Sequence, residues 1–190
     1  MNDQMYQPLT AKAMEFAAIK HQGQYRKNPA EKIPYITHPA DVGLMLARAG
    51  YDDEVVAAGI LHDVVEDCGV SLEELSKKFG PRVARLVDQV SEASKKPSWE
   101  TRKQAYRDRL EGAEPDALAI AVADHLHNLQ NLLEVYKVAP SVVNMFKTGM
   151  AQKHDHEQKC LDIFQSRLDG PLVQELKSVL AESSFLAEIN

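Results

Sequence analysis

Apolar positions recur along the chain at helical spacing, and signals that start and stop helices lie between them. Alternating runs bounded by hairpin turns, which would predict strands, are not evident. Thr10 is predicted to cap a first helix that ends near His21. Pro39 suits the first turn of a second helix, which Gly50 ends. The pattern therefore predicts an all-α fold.

Further helices are predicted in sequence order. Asp52 or Asp53 begins a helix that continues through Asp67, and Ser71 with Glu74 forms a capping box for the next. The remaining helices are predicted for 81–94, 99–110, 115–137, 141–168 and from 171 onward. Because no repeat or long polar linker interrupts this series, we expect one compact domain over 1–190. Its motif core covers about 21–133, and C-terminal helices occupy 141–190.

The helix predicted to include 60–67 has one oily face and one ionisable face. At 100° per residue, four ionisable groups fall within about 140° of arc. These groups are His62, Asp63, Glu66 and Asp67. An ordinary solvated helix face could show the same division. However, the stripe contains no Lys or Arg to offset its three carboxylates, and a bound cation would relieve their repulsion.

Adjacent His62 and Asp63 can offer one nitrogen and one oxygen to the same ion. Such a mixed set suits Mn²⁺, Fe²⁺, Zn²⁺ or Mg²⁺. Two further ligands are needed, and the candidates are His38 and Asp124. Taken alone, His38 at a helix start is more typical of a cap or a satisfied polar residue.

The order His38, His62-Asp63, Asp124 resembles the HD-domain superfamily of metal-dependent phosphohydrolases. More specifically, the chain is similar to the hydrolase domain of the RelA/SpoT alarmone enzymes and to stand-alone small alarmone hydrolases. The resemblance covers roughly 21–133. It is carried by Tyr25-Arg26-Lys27, Pro34-Tyr35-Ile36-Thr37-His38-Pro39, Leu61-His62-Asp63-Val64-Val65-Glu66-Asp67, Phe79-Gly80-Pro81, Val83, Leu86-Val87, Ala123-Asp124 and Leu126-His127-Asn128-Leu129.

This resemblance implies a cofactor and catalytic groups. The ligands of one metal ion, usually Mn²⁺, would be His38, His62, Asp63 and Asp124. Glu66 and Asp67 match an acidic pair that orients or deprotonates the attacking water, and the sequence does not decide which of them is the base. On the substrate side, Arg26 would lie on the guanine face, Lys27 would help to bind the nucleotide, and Asn128 would lie near the ribose.

The implied reaction removes the 3′-pyrophosphate of (p)ppGpp to give GDP or GTP and pyrophosphate, without synthetase activity. Three positions that carry cations in the long enzymes are Ala121, His125 and Gln130 here. Basic residues that could compensate are Lys95, Lys96, Arg102, Lys103 and Arg107. Two alternatives stay open. One is hydrolysis of another phosphorylated nucleotide, such as the 2′-phosphate of NADPH, and the other is a non-catalytic nucleotide-binding regulator.

Composition and charge limit the classes of partner and the cellular location that the sequence predicts. The formal charge is −6, from 22 basic and 28 acidic residues, which argues against a protein that coats nucleic acid. No stretch approaches the ~20 apolar residues of a membrane span, and the N-terminus lacks signal-peptide features. With only two cysteines we expect a cytoplasmic protein. The apolar positions of the C-terminal helices could also form an interface between two copies of the chain, so the sequence is compatible with a homo-oligomer.

Two other clusters carry weaker signals. His154-Asp155-His156 is predicted to be an exposed polar turn, because two His at i and i+2 point in different directions on a helix. Cys68 follows the acidic pair, and negative charge beside it should raise its pKa. Neither cluster predicts a second reactive centre.

Overall fold

The computed structural model describes residues 8–92 and 98–189, and within them it contains helices, loops and one isolated bridge between Tyr25 and Pro34. The prediction of an all-α fold is confirmed. The helices are α1 (Leu9–Lys20), α2 (Thr37–Arg48), α3 (Asp53–Leu61), α4 (Val64–Cys68), α5 (Leu72–Phe79), α6 (Pro81–Val90), α7 (Trp99–Gly112), α8 (Pro115–Val138), α9 (Met150–Arg167) and α10 (Pro171–Glu182), with 3₁₀ helices at Pro140–Met145 and Ser183–Glu188.

Local capping chemistry accounts for several helix ends. The Asp52 carboxylate accepts hydrogen bonds from the backbone N–H groups of Glu54 and Val55, so Asp52 begins α3. Ser71 accepts one from the N–H of Glu74, as predicted. The prediction for Thr10 is wrong. The carbonyl of Pro8 already accepts from the N–H of Lys12, so α1 begins before Thr10.

The helix predicted to run through Asp67 is interrupted at His62 and Asp63. α3 ends at Leu61 and α4 begins at Val64. Asp63 has φ −93° and ψ −9°, and the ring Nδ1 of His62 donates to the carbonyl of Gly59 at 2.7 Å. The interruption therefore occurs at two of the four residues that the sequence predicts as metal ligands.

The single helix predicted over 141–168 is also wrong. A 3₁₀ helix covers Pro140–Met145, and α9 begins only at Met150. Gly149 separates the two with φ +76°, a conformation that favours glycine and ends regular α structure. The resulting loop turns Phe146 toward the cleft described below.

Helix α3 is the centre of the core. Every residue from Val55 to Leu61 is buried, because α1, α2, α6 and α8 all contact this helix. α8 supplies a second buried spine, and α10 packs on α8 and α9. Of the helices in 8–92 and 98–189, none combines the length and apolar character needed to cross a membrane.

Two glycines allow α2 and α3 to approach closely. A Cβ on Gly43 would lie 2.5 Å from Cγ1 of Ile60, and a Cβ on Gly59 would lie 2.3 Å from Cδ1 of Leu46. Both distances are far below van der Waals contact. The close approach brings His38, near the start of α2, toward His62, just after α3.

Gly59→Ala is expected to lower the free energy of unfolding by about 1–3 kcal/mol, because the added methyl must displace the fully buried Leu46. Urea denaturation measures the change. Gly112→Ala is the matched control, since a Cβ there meets no atom within 4 Å and alanine favours helix. Equal stability of the two variants would contradict a tight α2–α3 contact.

Candidate active site

Four side chains converge where α2, the α3–α4 junction and α8 meet. The Nε2 atom of His38 lies 3.0 Å from Oδ1 of Asp124 and 3.7 Å from Oδ2 of Asp63. The Nε2 atom of His62 lies 3.1 Å from Oδ2 of Asp63 and 3.7 Å from Oδ1 of Asp124. The structure thus brings together all four residues that the sequence predicted as metal ligands.

The donor set fits a cation. The ring Nε2 atoms of His38 and His62 are both buried and have no hydrogen-bond partner. Because the Nδ1 of His62 donates to the Gly59 carbonyl, its Nε2 is the nitrogen left to face the carboxylates. His38, His62 and Asp124 each offer one ligand atom, and these atoms lie within 4.8 Å of one another. Two imidazoles with carboxylate oxygens suit a divalent transition metal.

Charge coupling among these groups is strong. Burial opposes ionisation, but the carboxylates of Asp63 and Asp124 outweigh it and hold the pKa of His62 well above its ordinary value. Burial would raise the pKa of Asp124, but its contacts with His38 and then His62 hold that pKa well below the usual range. Both carboxylates, which are partly buried, are therefore held in the ionised form.

Two polar side chains hold the carboxylates in position. The hydroxyl of Tyr35 donates to Oδ2 of Asp63 at 2.5 Å, and the Nδ2 group of Asn128 donates to Oδ1 of Asp124 at 2.6 Å. The Nη2 group of Arg26 then donates to Oδ1 of Asn128 at 3.0 Å. Sequence reasoning gave Tyr35 no role, although it lies three residues before His38 within the quoted motif.

The acidic pair divides into a half-buried and an exposed member. Glu66 is half-buried, whereas Asp67 is exposed. Burial, followed by the negative charges of Glu92 and Asp63, raises the pKa of Glu66 to about 7. The backbone N–H of Glu92 donates to Oε2 of Glu66 at 3.3 Å. A carboxyl group with a pKa near 7 is suited to accept a proton at neutral pH.

A cleft opens over these groups in two connected parts. The inner part has a volume of about 210 Å³ and the outer part about 470 Å³, which together suit a ligand of nucleotide size. Glu66 lines both parts, and Asp67 lines only the outer one. Residues common to both parts are Lys27, Asp63, Glu66, Glu92, Lys103, Asp124, Asn128, Phe146 and Lys153.

Within the described residues, Lys27, Lys103 and Lys153 bring positive charge to both parts of the cleft, and Arg26 adds to it in the outer part. Burial lowers the pKa of Lys27, and the neighbouring charges of Lys153, Arg26 and Lys103 lower it further. The Nζ of Lys27 lies 4.7 Å from the centre of the Phe146 ring, and that of Lys153 lies 5.7 Å from it. Lys153 had no sequence signal, because it enters the cleft from α9, far along the chain.

The three positions without the expected cations have different surroundings. Ala121 is buried and lines the inner cleft. The Nδ1 of His125 forms a buried 2.5 Å pair with Oε2 of Glu157, which Lys153 also contacts at 2.8 Å. Gln130 lies outside the cleft and donates to Glu175. Lys153 thus restores one cation near the place where His125 replaces one.

The other basic residues that the sequence suggests as compensating cations make different contacts. Lys103 and Arg102 both bind the carboxylate of Glu92, and Lys103 also lines the cleft. Arg107 is buried and donates from Nη1 to Nδ1 of His156 at 2.9 Å. Lys95 and Lys96 lie outside the described residues.

The prediction of an exposed turn at 154–156 is wrong. These residues lie within α9, and His156 is buried because α7 packs against that helix. His125, His156 and Cys160 lie close enough to hold an ion. However, the guanidinium of Arg107 occupies Nδ1 of His156, and a fixed cation there opposes a second.

Cys68 behaves as the sequence predicts. Burial and the negative charge of Asp67 raise the pKa of its thiol. Its Sγ lies 3.4 Å from Nδ1 of His21, a buried residue at the end of α1. Both features are consistent with a structural thiol.

The chain matches the HD domain family model over residues 13–166. It is 42% identical over 122 residues to human guanosine-3′,5′-bis(diphosphate) 3′-pyrophosphohydrolase MESH1. That match covers 63% of this chain and 67% of the human protein. It is 37% identical over 123 residues to the guanosine-3′,5′-bis(diphosphate) 3′-pyrophosphohydrolase of Aquifex aeolicus. That match covers 64% of this chain and 17% of the longer relative.

Two solved structures have the same fold. A metazoan ortholog of SpoT that hydrolyses ppGpp matches with a TM-score of 0.78 and 27% identity, over 95% of this chain and 98% of the other. A protein of Listeria monocytogenes matches with a TM-score of 0.71 and 31% identity, over 76% of this chain and 97% of the other.

Proposed function

The chain belongs to the HD-domain family, and we propose that it hydrolyses the 3′-pyrophosphate of (p)ppGpp with a bound divalent cation. One observation carries the proposal. Two buried, unpartnered imidazole nitrogens face two carboxylates at the base of a cleft that also holds Glu66 and three lysines. The choice of (p)ppGpp as the substrate is based on the names of the similar human and Aquifex proteins.

The ligands of the cation are His38, His62, Asp63 and Asp124, with Mn²⁺ as the ion, one per chain. The mixed nitrogen and oxygen donors support a transition metal. When bound, such a cation acidifies water and offsets charge on phosphoryl oxygens. Asn128 and Tyr35 hold the carboxylates in orientation through their hydrogen bonds.

Glu66 is the base in this proposal. Its carboxylate accepts the proton of the attacking water, whose oxygen forms a bond to the phosphorus next to the ribose. The bond from that phosphorus to the 3′ oxygen breaks, the 3′ oxygen takes up a proton to become the ribose hydroxyl, and the products are GDP or GTP and pyrophosphate. Burial in the inner cleft and a pKa of about 7 support Glu66 over the more exposed Asp67.

The nucleotide lies across the outer cleft. The lysines around Phe146, Lys27 foremost, bind its phosphates, and Arg26 lies on the base side. Asn128 donates to Asp124 and accepts from Arg26, so it links substrate recognition to a metal ligand. A planar guanidinium suits stacking, and an ammonium group suits phosphate.

Product analysis tests the substrate. After incubation of the Mn²⁺-loaded protein with ppGpp, pppGpp or NADPH, anion-exchange chromatography is expected to show GDP or GTP with pyrophosphate from the first two. Lys153→Met, which keeps side-chain length but removes charge, is expected to raise KM for ppGpp about tenfold, as one lost phosphate contact would. Release of phosphate from NADPH with intact ppGpp would instead assign a nucleotide 2′-phosphatase.

A further inference from the structure

One aromatic ring contacts two lysines of the cleft. The Nζ of Lys27 lies 4.7 Å from the centre of the Phe146 ring, and that of Lys153 lies 5.7 Å from it. Lys27 belongs to the loop that follows α1, whereas Lys153 belongs to α9. All three side chains line both parts of the cleft. Phe146 therefore connects two cationic groups that are far apart in the chain.

The protein holds the Phe146 ring in place. The backbone N–H of Phe146 donates to the carbonyl of Val143 at 3.2 Å, and the carbonyl of Phe146 accepts from the N–H of Gly149 at 3.2 Å. The side chain is half-buried and packs against a small apolar cluster formed by Leu132, Leu133, Val135, Val142, Met150 and Leu186. The ring is thus supported by the protein interior while it borders the cleft.

Like charges oppose this arrangement of the lysines. Burial lowers the pKa of the Lys27 ammonium group, and the positive charges of Lys153, Arg26 and Lys103 lower it further. The ammonium groups are therefore near enough to repel one another. The face of an aromatic ring is partly negative and attracts an ammonium group within about 6 Å of its centre. Phe146 thus offsets part of the repulsion between Lys27 and Lys153.

A ring and a carboxylate hold a lysine in different ways. Glu157 pairs with Lys153 at 2.8 Å and offsets some of its charge. The Phe146 ring carries no net charge, so Lys27 keeps its positive charge for a phosphate, and Asp67 acts on it more weakly than its cationic neighbours. An ammonium group has three N–H donors. It can therefore rest on a ring and still donate to phosphate oxygens.

Taking the proposed hydrolysis of a nucleotide 3′-diphosphate as given, we propose that Phe146 is a positioning residue that holds the ammonium groups of Lys27 and Lys153 as one subsite for that diphosphate. Both lysines line the inner part of the cleft together with Glu66, which acts on this group in the proposed reaction. The diphosphate contacts the lysines, and the ring acts through them. Without the ring, the two ammonium groups would separate and bind the diphosphate more weakly.

Spectra of the lysine side chains test this placement without metal or substrate. In protein labelled with ¹³C at lysine Cε, protons that lie over a ring are shifted upfield, and signals lost in Lys27→Arg and Lys153→Arg assign the two side chains. We expect upfield Hε signals for both lysines in the wild type and ordinary positions in Phe146→Leu. An ordinary position for either lysine in the wild type would overturn the proposal.

A fluorinated ring separates charge from shape. Phe146→trifluorophenylalanine keeps a ring of similar size but removes most of the negative charge of its face. We expect the Kd for inorganic pyrophosphate to rise about 3–30-fold in metal-free protein, as the loss of an ammonium–ring attraction predicts. Trp99 is the single tryptophan of the chain and lines the inner cleft, so its fluorescence reports binding. An unchanged or lower Kd, or no saturable binding by the wild type, would refute the role.

Steady-state kinetics add a second readout. Phe146→Leu is expected to raise KM for ppGpp about 3–30-fold with kcat within about twofold, because the lysines bind substrate and transition state alike. Phe146→Tyr keeps the ring and should restore wild-type KM within about twofold. Phe185→Leu is the matched control, since this exposed ring contacts Tyr136 and belongs to the 3₁₀ helix at Ser183–Glu188. Equal increases in KM in the two leucine variants, or a fall in kcat alone, would contradict the positioning role.

These measurements keep the two proposals apart. If the lysine spectra and the pyrophosphate affinities change as expected but ppGpp is not hydrolysed, the positioning role stands and the proposed substrate is wrong. If ppGpp is hydrolysed with wild-type KM in Phe146→Leu, the function stands and the positioning role is wrong. Circular dichroism melts of every variant confirm that each compared protein is folded.

Discussion

His62→Ala is expected to abolish stoichiometric Mn²⁺ binding and to reduce kcat/KM at least about 10³-fold. The substitution removes one of the two buried ring nitrogens that face Asp63 and Asp124. It leaves the two carboxylates close together without their central imidazole. Calorimetric titration of metal-free protein measures binding, and anion-exchange analysis measures turnover.

The matched control for this experiment is His154→Ala, a histidine of α9 that lies outside the proposed ligand set. It should bind Mn²⁺ and turn over ppGpp within about twofold of the wild type, because substitutions away from such features cost little. Wild-type Mn²⁺ affinity in folded His62→Ala would contradict the metal site proposed here.

Glu66→Gln is expected to lower kcat by about 10²–10⁴-fold with Mn²⁺ affinity nearly unchanged. The amide keeps the shape of the side chain and can still accept from the N–H of Glu92, but it cannot take a proton from water. Asp67→Asn is the matched comparison, since its exposed carboxylate lines only the outer cleft. A larger loss in Asp67→Asn than in Glu66→Gln would move the role of base to Asp67.

The pH dependence of kcat gives the same assignment a second test. A general base works in its ionised form, so activity rises as pH rises through its pKa. That pKa is about 7 in the metal-free protein because of burial and of Glu92 and Asp63. A cation beside Asp63 lowers it, so we expect the acidic limb at or below pH 7. The residual activity of Glu66→Gln should lack this limb.

Features that depend on neighbouring residues could be predicted from the sequence. Asp52 and Ser71 cap their helices, and Gly80 ends one with φ +97°. Each of these signals acts over a few residues, so local chemistry suffices. The break at His62 and Asp63 could not be predicted in this way. The apolar spacing continues across the break. The helix is interrupted where Nδ1 of His62 donates to the backbone carbonyl of Gly59.

At the candidate site, too, some residues could be predicted from the sequence and others could not. His38 and Asp124 are weak candidates by residue type alone, and it is their order with His62-Asp63 that predicts them as ligands. Lys153 and the pair of His125 with Glu157 could not be found, because α9 reaches the cleft through tertiary packing alone. No spacing rule relates a lysine on one helix to a ligand set on three other segments.

The origin of the proposed ligands has a consequence for the lifetime of the protein. His38 lies on α2, His62 lies between α3 and α4, and Asp124 lies on α8, so an ion bound by all three would crosslink segments that span 38–124 of the chain. An ion that binds only the folded state adds about 2.7 kcal/mol of stability at a hundredfold excess over its Kd. In a cell short of the metal, more of this protein would therefore unfold and be degraded. The supply of the metal would then determine the amount of the protein as well as its rate of catalysis.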